Sequence, residues 1–387
     1  MSGARSTCQV AVVGGGLVGA AAAAALLRAG LSVRLIERQP ARAPDDAWDT
    51  RIYAISPASE ALLREIGAWQ RMDARRLAAI ERMDVAGDAG GRLRLDAYEA
   101  GVARLATIVE SGRLQYALWQ SIAEYDPAAI VCPGTVAAID WGTPSSTLHL
   151  DDGTTLAAEL VIGADGARSA VRALAGIGQR VEPYGQAGVV ANFACERPHR
   201  GTAFQWFRQG DVIAYLPLPG NQMSLVWSTH DADALLALDV RAFADAVAAA
   251  GEGRLGRLEC VTAPAAFPLN LVRVEAMVAP GLALVGDAAH GIHPLAGQGV
   301  NLGFADVAAL VAILGERGLG RCGDPVLLAR YARRRALPVT ETQFAMHGLF
   351  HLFGGPLARF ANLGMRAVDR LGFLKSALVR EATRFPQ

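Results

Sequence analysis

The stretch Gln9-Val-Ala-Val-Val13, Gly14-Gly-Gly-Leu-Val-Gly19, an alanine-rich helical pattern to about Ala29, Leu31-Ser-Val-Arg-Leu-Ile36 and then Glu37 leaves a chain few choices of fold. A short apolar strand, a GxGxxG turn opening a helix, a second strand and an acid at its end form the dinucleotide-binding fingerprint in its required context. Gly14 serves the tight turn, Gly16 lets the backbone approach a pyrophosphate, and Gly19 allows close helix–strand packing. The unpaired N–H groups of the helix start favour an anion there. Glu37, 23 residues beyond Gly14, can accept a hydrogen bond from a ribose 2′-OH and would repel a 2′-phosphate. The site therefore suits FAD or NAD rather than NADP, with Arg38 beside it as a further nucleotide contact.

Two distant stretches repeat the strand, Gly/Asp, helix pattern. The apolar run Gly281 to Val285 leads into Gly286-Asp-Ala-Ala-His-Gly-Ile-His-Pro-Leu-Ala-Gly-Gln-Gly-Val-Asn-Leu-Gly303, which places Asp287 at the C-terminal end of a strand, where open α/β sheets bind ligands. Gly286, Gly291, Gly297 and Gly299 let backbone N–H groups near a flat or anionic ligand. Glu159 to Arg172 reads as a strand ending at Asp165-Gly166 before a helix that starts near Ser169. Three such ends converging on one ligand imply a large nucleotide cofactor.

A chain of 387 residues suits two interleaved domains rather than one core. Lys+Arg and Asp+Glu are both 37, and zero net charge argues against nucleic acid as an obligate partner. Lys375 is the sole lysine, which leaves Schiff-base chemistry and GxxxxGK[ST] phosphate loops almost no candidate. The five cysteines are scattered, so neither a disulfide framework nor a metal site is expected. The uncharged run from Val10 to Leu27 is mostly Ala and Gly and is broken at Gly14 to Gly16, unlike a membrane span or a signal peptide. A reduced, cytoplasmic setting is expected, peripheral to the inner face of the membrane if the C-terminal region docks there.

The expected fold is α/β: a Rossmann-like FAD-binding domain interrupted by a β-rich substrate domain and closed by C-terminal helices. Its parts are 1–75, 106–178 and 279–343 for the FAD-binding domain, 76–105 and 179–278 for the substrate domain, and 344–387 for amphipathic helices. Pro219-Gly-Asn-Gln222 predicts a hairpin turn between two strands. Gln186, Gln205, Tyr215 and Trp227 are the polar or aromatic candidates on that sheet for gripping a phenol, with plain sheet packing the competing reading.

The combination of GxGxxG, Asp165-Gly166 and Gly286-Asp-Ala-Ala-His290 resembles the flavoprotein aromatic hydroxylases, single-component monooxygenases that carry FAD and are reduced by NADH or NADPH. Further stretches resemble the ubiquinone-biosynthesis branch: Asp49-Thr-Arg-Ile-Tyr-Ala-Ile-Ser56 with Ser59, Val109-Glu110 with Leu114 and Gln115, Tyr184-Gly-Gln-Ala187, Leu216-Pro-Leu218, Ser224-Leu-Val-Trp227, and the run from His293 to Gly303. The resemblance spans about Val10 to Arg335 and departs from the usual pattern at Ser111, where an asparagine is customary. It implies that Gly14, Gly16, Gly19 and Glu37 hold the ADP half, that Arg51 and Gln115 lie near the flavin, and that Asp165 serves both FAD and the nicotinamide. It further implies that Asp287 meets the ribityl chain and that Pro294, Gly297, Gln298, Gly299 and Asn301 border the isoalloxazine ring. Chemistry of this class needs few protein acids or bases, because reduced flavin and O₂ form a C4a-hydroperoxide that delivers oxygen to an electron-rich ring. His293, Pro294 and Gln298 are the residues expected at the reacting centre, His293 as a proton carrier.

From Phe344 onward the chain is apolar and basic, with Arg359, Arg366, Arg370, Lys375, Arg380 and Arg384 opposed by Asp369 and Glu381. A basic amphipathic helix suits an anionic lipid surface or a quinone-biosynthesis complex, and equally a helix packed on the protein with a solvated basic face. The leading expectation is a hydroxylase of a polyprenylated phenol in ubiquinone biosynthesis. A soluble phenol or catabolic hydroxylase on the same scaffold and a non-catalytic FAD-binding subunit stay open at this point.

Overall fold

The computed structural model describes residues 5–208, 210–292, 298–354, 358–383 and 385. The fingerprint forms strand Arg5–Val13, helix Leu17–Arg28 and strand Val33–Ile36. These enter a sheet in which Leu282–Leu284, Thr155–Gly163, Arg5–Val13, Val33–Ile36 and Ile130–Val131 lie side by side and parallel. Parallel strands buried on both faces need continuous apolar runs, and Val10, Val12, Leu160, Ile162 and Ala283 are fully buried against the alanine face of the first helix. The small side chains of Ala20 to Ala25 let that helix sit close to the sheet and to the helix Gln298–Gly315.

Among the described residues the second sheet has nine strands and is mixed. Its long central strand Gln179–Cys195 lies between Ala265–Val274 and Gln222–Thr229, followed by Asp211–Leu218 and Thr202–Arg208. The turn at residues 219–221 joins two of these strands as the sequence predicts, with Gly220 at φ 73°. The hairpin Arg82–Gly87 and Arg92–Asp96 extends the sheet by parallel pairing of Arg82–Gly87 with Thr202–Phe207. This agrees with the α/β fold class read from the sequence.

One short strand joins the two halves. After Leu282–Leu284 ends the parallel sheet, Gly286–Ala288 makes a single helical turn and His290–Gly291 pairs with Arg273 and Val272 at the edge of the second sheet. Asp287 thus sits on a short segment that passes directly from the nucleotide sheet to the substrate sheet.

The C-terminal part differs from the expected division at 344. A single helix runs Pro325–Gly354 through that position, Pro338 included. Tyr331 and Gln343 of this helix are buried against the first and second sheets, which ties its two ends into one element. Helix Ala358–Arg370 packs on the hairpin 82–96: Asn362 accepts from Gly91 N–H at 2.8 Å, and Arg366 donates to the carbonyls of Gly90 and Ala89. The amphipathic face inferred from sequence is therefore in part spent on the protein itself. No described helix is long and apolar enough to cross a membrane.

Candidate functional site

The helix Leu17–Arg28 starts at Gly16 with no side chain capping it, so its first N–H groups remain available to an anion. The three fingerprint glycines are required for different reasons. A Cβ on Gly14, whose φ is 107°, would lie 2.4 Å from the Ala164 carbonyl oxygen, and one on Gly19 would lie 2.0 Å from that of Gly14. A Cβ on Gly16 would meet no protein atom within 4 Å, because Gly16 faces a cavity.

That cavity has a volume of about 1110 Å³, somewhat more than the roughly 300–1,000 Å³ of ordinary small-molecule sites. It is continuous from the nucleotide end to the second sheet. Gly14, Gly16, Glu37, Arg38, Arg51, Gln115, Asp165, Asp287, Gly299 and Asn301 all line it. Gly286 lies directly behind Asp287, buried against Val18 with φ 59°.

Several of these side chains are held by the protein. Glu37 accepts from Gly15 N–H at 2.6 Å and from Arg38 N–H at 2.8 Å, which fixes its carboxylate beside the glycine turn. Gln115 and Trp119 both donate to the Gly15 carbonyl at 2.8 Å. Asp165 accepts from Ser169 Oγ and from Val171 N–H, holding the turn that follows its strand. Asn301 accepts from Ser56 N–H at 2.9 Å and donates to the Ala54 carbonyl at 2.8 Å, so it also aligns the segment that carries Arg51. The Arg51 guanidinium lies 4.9 Å from the centre of the Phe267 ring, across the boundary between the two halves.

Asp287 projects into the cavity. Its side chain is exposed to that space, and desolvation by the surrounding protein raises its carboxyl above the ordinary 3.8, while His290 and Arg51 act in the opposite direction. Tyr53, on the same cavity wall, has its phenol raised by burial first and then by Asp287. It keeps its proton at neutral pH and is a hydrogen-bond donor there.

A buried charge cluster escaped the sequence reading. Asp306, fully buried, accepts from Gly286 N–H at 2.9 Å and from Arg335 Nε at 2.7 Å, and lies 2.6 Å from His290 Nε2. An ionised carboxylate only accepts, so the His290 hydrogen is on Nε2. Arg172, also buried, donates to the carbonyls of Ala288 and Ala167 and so links the Asp165 turn to the Asp287 turn. A signal was available: Asp306 is the one ionisable residue between Gly303 and Gly315, within an otherwise apolar helix, and such a carboxylate needs a partner.

Of the four candidates on the second sheet, Gln205 lines the cavity; its side chain is 6% exposed. Tyr215 does not. Side chains alternate along a strand, and with Ala214 and Leu216 facing the cavity, Tyr215 faces the opposite side. There its hydroxyl donates to the Val247 carbonyl and its ring meets Trp206 edge-on at 4.9 Å. Trp227 follows the same parity beside cavity-facing Val226 and donates to Asp211 at 2.8 Å. Gln186 donates to the Gly210 carbonyl at 3.0 Å and is outside the described cavity lining. His293, Pro294 and Gly297 lie outside the described residues, as does the side chain of Gln298, whose backbone opens the helix Gln298–Gly315.

Residues 7–344 match the model of the FAD-binding domain family. The 3-demethoxyubiquinol 3-hydroxylase of Escherichia coli (strain K12) is 37% identical, the match covering 97% of this chain and 98% of that protein. The ubiquinone hydroxylase UbiL of Rhodospirillum rubrum is also 37% identical, over 98% and 90%. The chain belongs to the family of FAD-dependent ubiquinone-biosynthesis hydroxylases. The mitochondrial monooxygenase COQ6 of Mus musculus is more distant at 30% identity, over 99% of this chain and 92% of that one. The fold is shared with crystal structures at lower identity. PqsL of P. aeruginosa in complex with 2-aminobenzoylacetate has TM-score 0.77 at 24% identity, covering 93% of this chain and 99% of that one. The p-nitrophenol 4-monooxygenase PnpA of Pseudomonas putida DLL-E4 has TM-score 0.78 at 17%, covering 99% and 100%.

Membership makes the protein an FAD-dependent monooxygenase, with NAD(P)H as the usual reductant and O₂ as co-substrate of the class. The uncapped helix start, the open face of Gly16 and the carboxylate of Glu37 fit a dinucleotide in the cavity.

Proposed function

We propose that the protein hydroxylates the aromatic ring of a polyprenylated phenol in ubiquinone biosynthesis. The observation that carries this reading is the single cavity. One end has the polar equipment of a nucleotide site, and the other is lined by Ile80, Met83, Leu95, Leu105, Ala203 and Leu216. A hydrocarbon tail finds there the apolar burial it seeks, whereas a small soluble phenol would leave that end filled with poorly bonded water. The catabolic reading is disfavoured for that reason. The non-catalytic reading is disfavoured because Gln205, Tyr53, Arg51 and Asp287 are gathered on the same space.

Gly14, Gly16, Gly19, Glu37, Arg38 and Asp287 would hold FAD, and the chemistry it would supply there is the reduction of O₂ and delivery of one oxygen atom to the ring. The chain's own residues position and shield. Asp165, Gln115 and Asn301 fix the turns around the cofactor, Gln205 offers its amide to a ring oxygen, and Tyr53 offers a hydroxyl hydrogen. Residues His293 to Gln298 belong to the flavin side of the site in this reading, His293 as the carrier of the phenol proton. A tail taken from a bilayer also calls for peripheral contact, and we assign it to the outer faces of the last two helices, where Leu363 and Leu371 are exposed beside Arg370 and Arg380.

The test is a mass-spectrometric profile of quinone lipids in cells lacking this chain, with and without its restoration. An under-hydroxylated prenylphenol that accumulates and is cleared on restoration supports the proposal and identifies the ring position. A quinone profile unchanged by loss of the chain, in a strain with no second hydroxylase, refutes it.

A further inference from the structure

Helix Gly372–Ala382 borders the apolar part of the cavity, away from the nucleotide end. It contributes Leu378 and Val379 to the cavity lining, and Thr383 follows just beyond. Facing them is the cluster of Ile80, Met83, Leu105, Ala106 and Leu216, with Leu95 alongside. Of Leu378, Val379 and Thr383, only Thr383 is polar, and it turns its hydroxyl back onto the Arg380 carbonyl at 3.0 Å. What remains toward the cavity is hydrocarbon.

The helix is anchored at both ends. Ser376 Oγ donates to the Glu99 carbonyl and Lys375 Nζ lies 3.4 Å from the Glu99 carboxylate, while the Thr383 carbonyl accepts from Ala58 N–H at 3.2 Å. On its far side lies a second, smaller cleft of about 210 Å³, lined by Pro57, Glu60, Ala61, Arg64, Ala103 and Arg104 and again by Thr383. Residues 102–106 pass from this outer cleft into the main cavity, so Thr383 and this segment form the partition between them.

We propose that helix Gly372–Ala382 with Thr383 is the determinant of tail length. It walls the channel that holds an isoprenoid chain, and tails longer than the channel leave past Thr383 into the outer cleft. This rests on the prenylated-phenol reading above and adds where the tail goes and which residues select it.

The experiment uses purified FAD-loaded full chain, NAD(P)H and a series of phenols carrying no tail, two isoprene units or several. Thr383→Trp narrows the exit, and Leu378→Ala, at a half-exposed position where truncation leaves the helix intact, removes channel wall. Thr383→Trp is expected to raise KM for the long-tailed phenol by about tenfold or more, and Leu378→Ala by several fold. Both leave kcat, bound FAD and the KM of the tail-less phenol within about twofold of wild type. Equal KM changes for tail-less and long-tailed substrates in Leu378→Ala, or no change in either, overturn the assignment. A wild-type enzyme that turns over tail-less phenols but gains nothing from any tail overturns instead the prenylated-phenol reading on which it rests.

Discussion

Removing the Arg335 guanidinium isolates the Asp306 carboxylate and measures how the turn that carries Asp287 is held. Arg335 is 1% exposed and Asp306 fully buried, 2.7 Å apart, so Arg335→Leu leaves a buried charge whose partners among the described residues are His290 and Gly286 N–H. Breaking such a pair on one side costs about 3–5 kcal/mol. With an unfolding entropy of about 2.1 cal/mol/K per residue, the 387 residues give about 0.8 kcal/mol/K and a fall in Tm of about 4–6 °C. The double variant Asp306→Leu/Arg335→Leu removes both charges and orphans the Gly286 N–H, at about 1–3 kcal/mol, and the His290 Nε2–H, whose cost a neutral imidazole reduces by moving its hydrogen to Nδ1. It should therefore melt above the single variant, by about 2 °C or more on the same scale. Circular-dichroism melts of the FAD-free proteins at pH 7 decide the matter. A double variant that melts below Arg335→Leu would refute the reasoning, because the two side chains would then be acting as independent packing. The pH dependence has a fixed sign as well. Burial opposes the Asp306 charge, but His290 and Arg335 outweigh it and hold the carboxyl below the ordinary 3.8. Its stabilising contribution is thus complete above about 3.8 and is lost as pH falls through the lower folded value.

The fingerprint glycines should separate by phenotype: Gly16→Val, whose side chain enters open cavity, folds but loses FAD, whereas Gly19→Val collides with the Gly14 carbonyl and gives insoluble protein. Flavin absorbance of the purified variants reads both, and a flavin-replete Gly16→Val would remove that residue from the cofactor site. Asp287→Asn should lower FAD occupancy without destabilising the FAD-free fold above pH 4. A carboxyl raised above 3.8 by burial costs the folded state stability once ionised, and the amide relieves that cost. A drop in the apo melting temperature would contradict it. Gln205→Leu should raise KM for the ring substrate by about 2–10-fold, the worth of one neutral hydrogen bond, with FAD content unchanged; an unaltered KM would leave Gln205 as sheet packing.

What could be read from the sequence was local in the chain. The turn conformation of Gly14, the uncapped helix start and the acid closing the second strand are each specified within about thirty residues, and the apolar runs of a parallel sheet announce themselves. For Tyr215 and Trp227 the choice between phenol contact and sheet packing stayed open in the sequence, because strand parity says which residues share a face but not which face meets the cavity; helix Val240–Ala250 decides for packing by covering the side they occupy. The length of the helix Pro325–Gly354 was obscured by the composition change near Phe344, which marks a change of neighbours rather than a break in the backbone. Arg335 and Asp306 meet across 29 positions, a separation that periodicity does not register.

The position of Asp287 also explains why these distant groups matter. Gly286 N–H is fixed to Asp306, and four residues later His290 is fixed to the same carboxylate and paired with Arg273 of the substrate sheet. The turn between them is therefore pinned at both ends to a group with no access to solvent, and Arg172 holds its middle at the Ala288 carbonyl. A carboxylate on such a turn has little freedom relative to either sheet. Oxygen transfer needs the cofactor and the ring held in a fixed mutual orientation, and a short, pinned connection between the two sheets runs through these five residues. Variants at Asp306 or Arg335 that keep the fold should then increase NAD(P)H oxidation without product before they reduce flavin binding. If flavin loss and uncoupling instead rise together, the cluster acts on affinity alone.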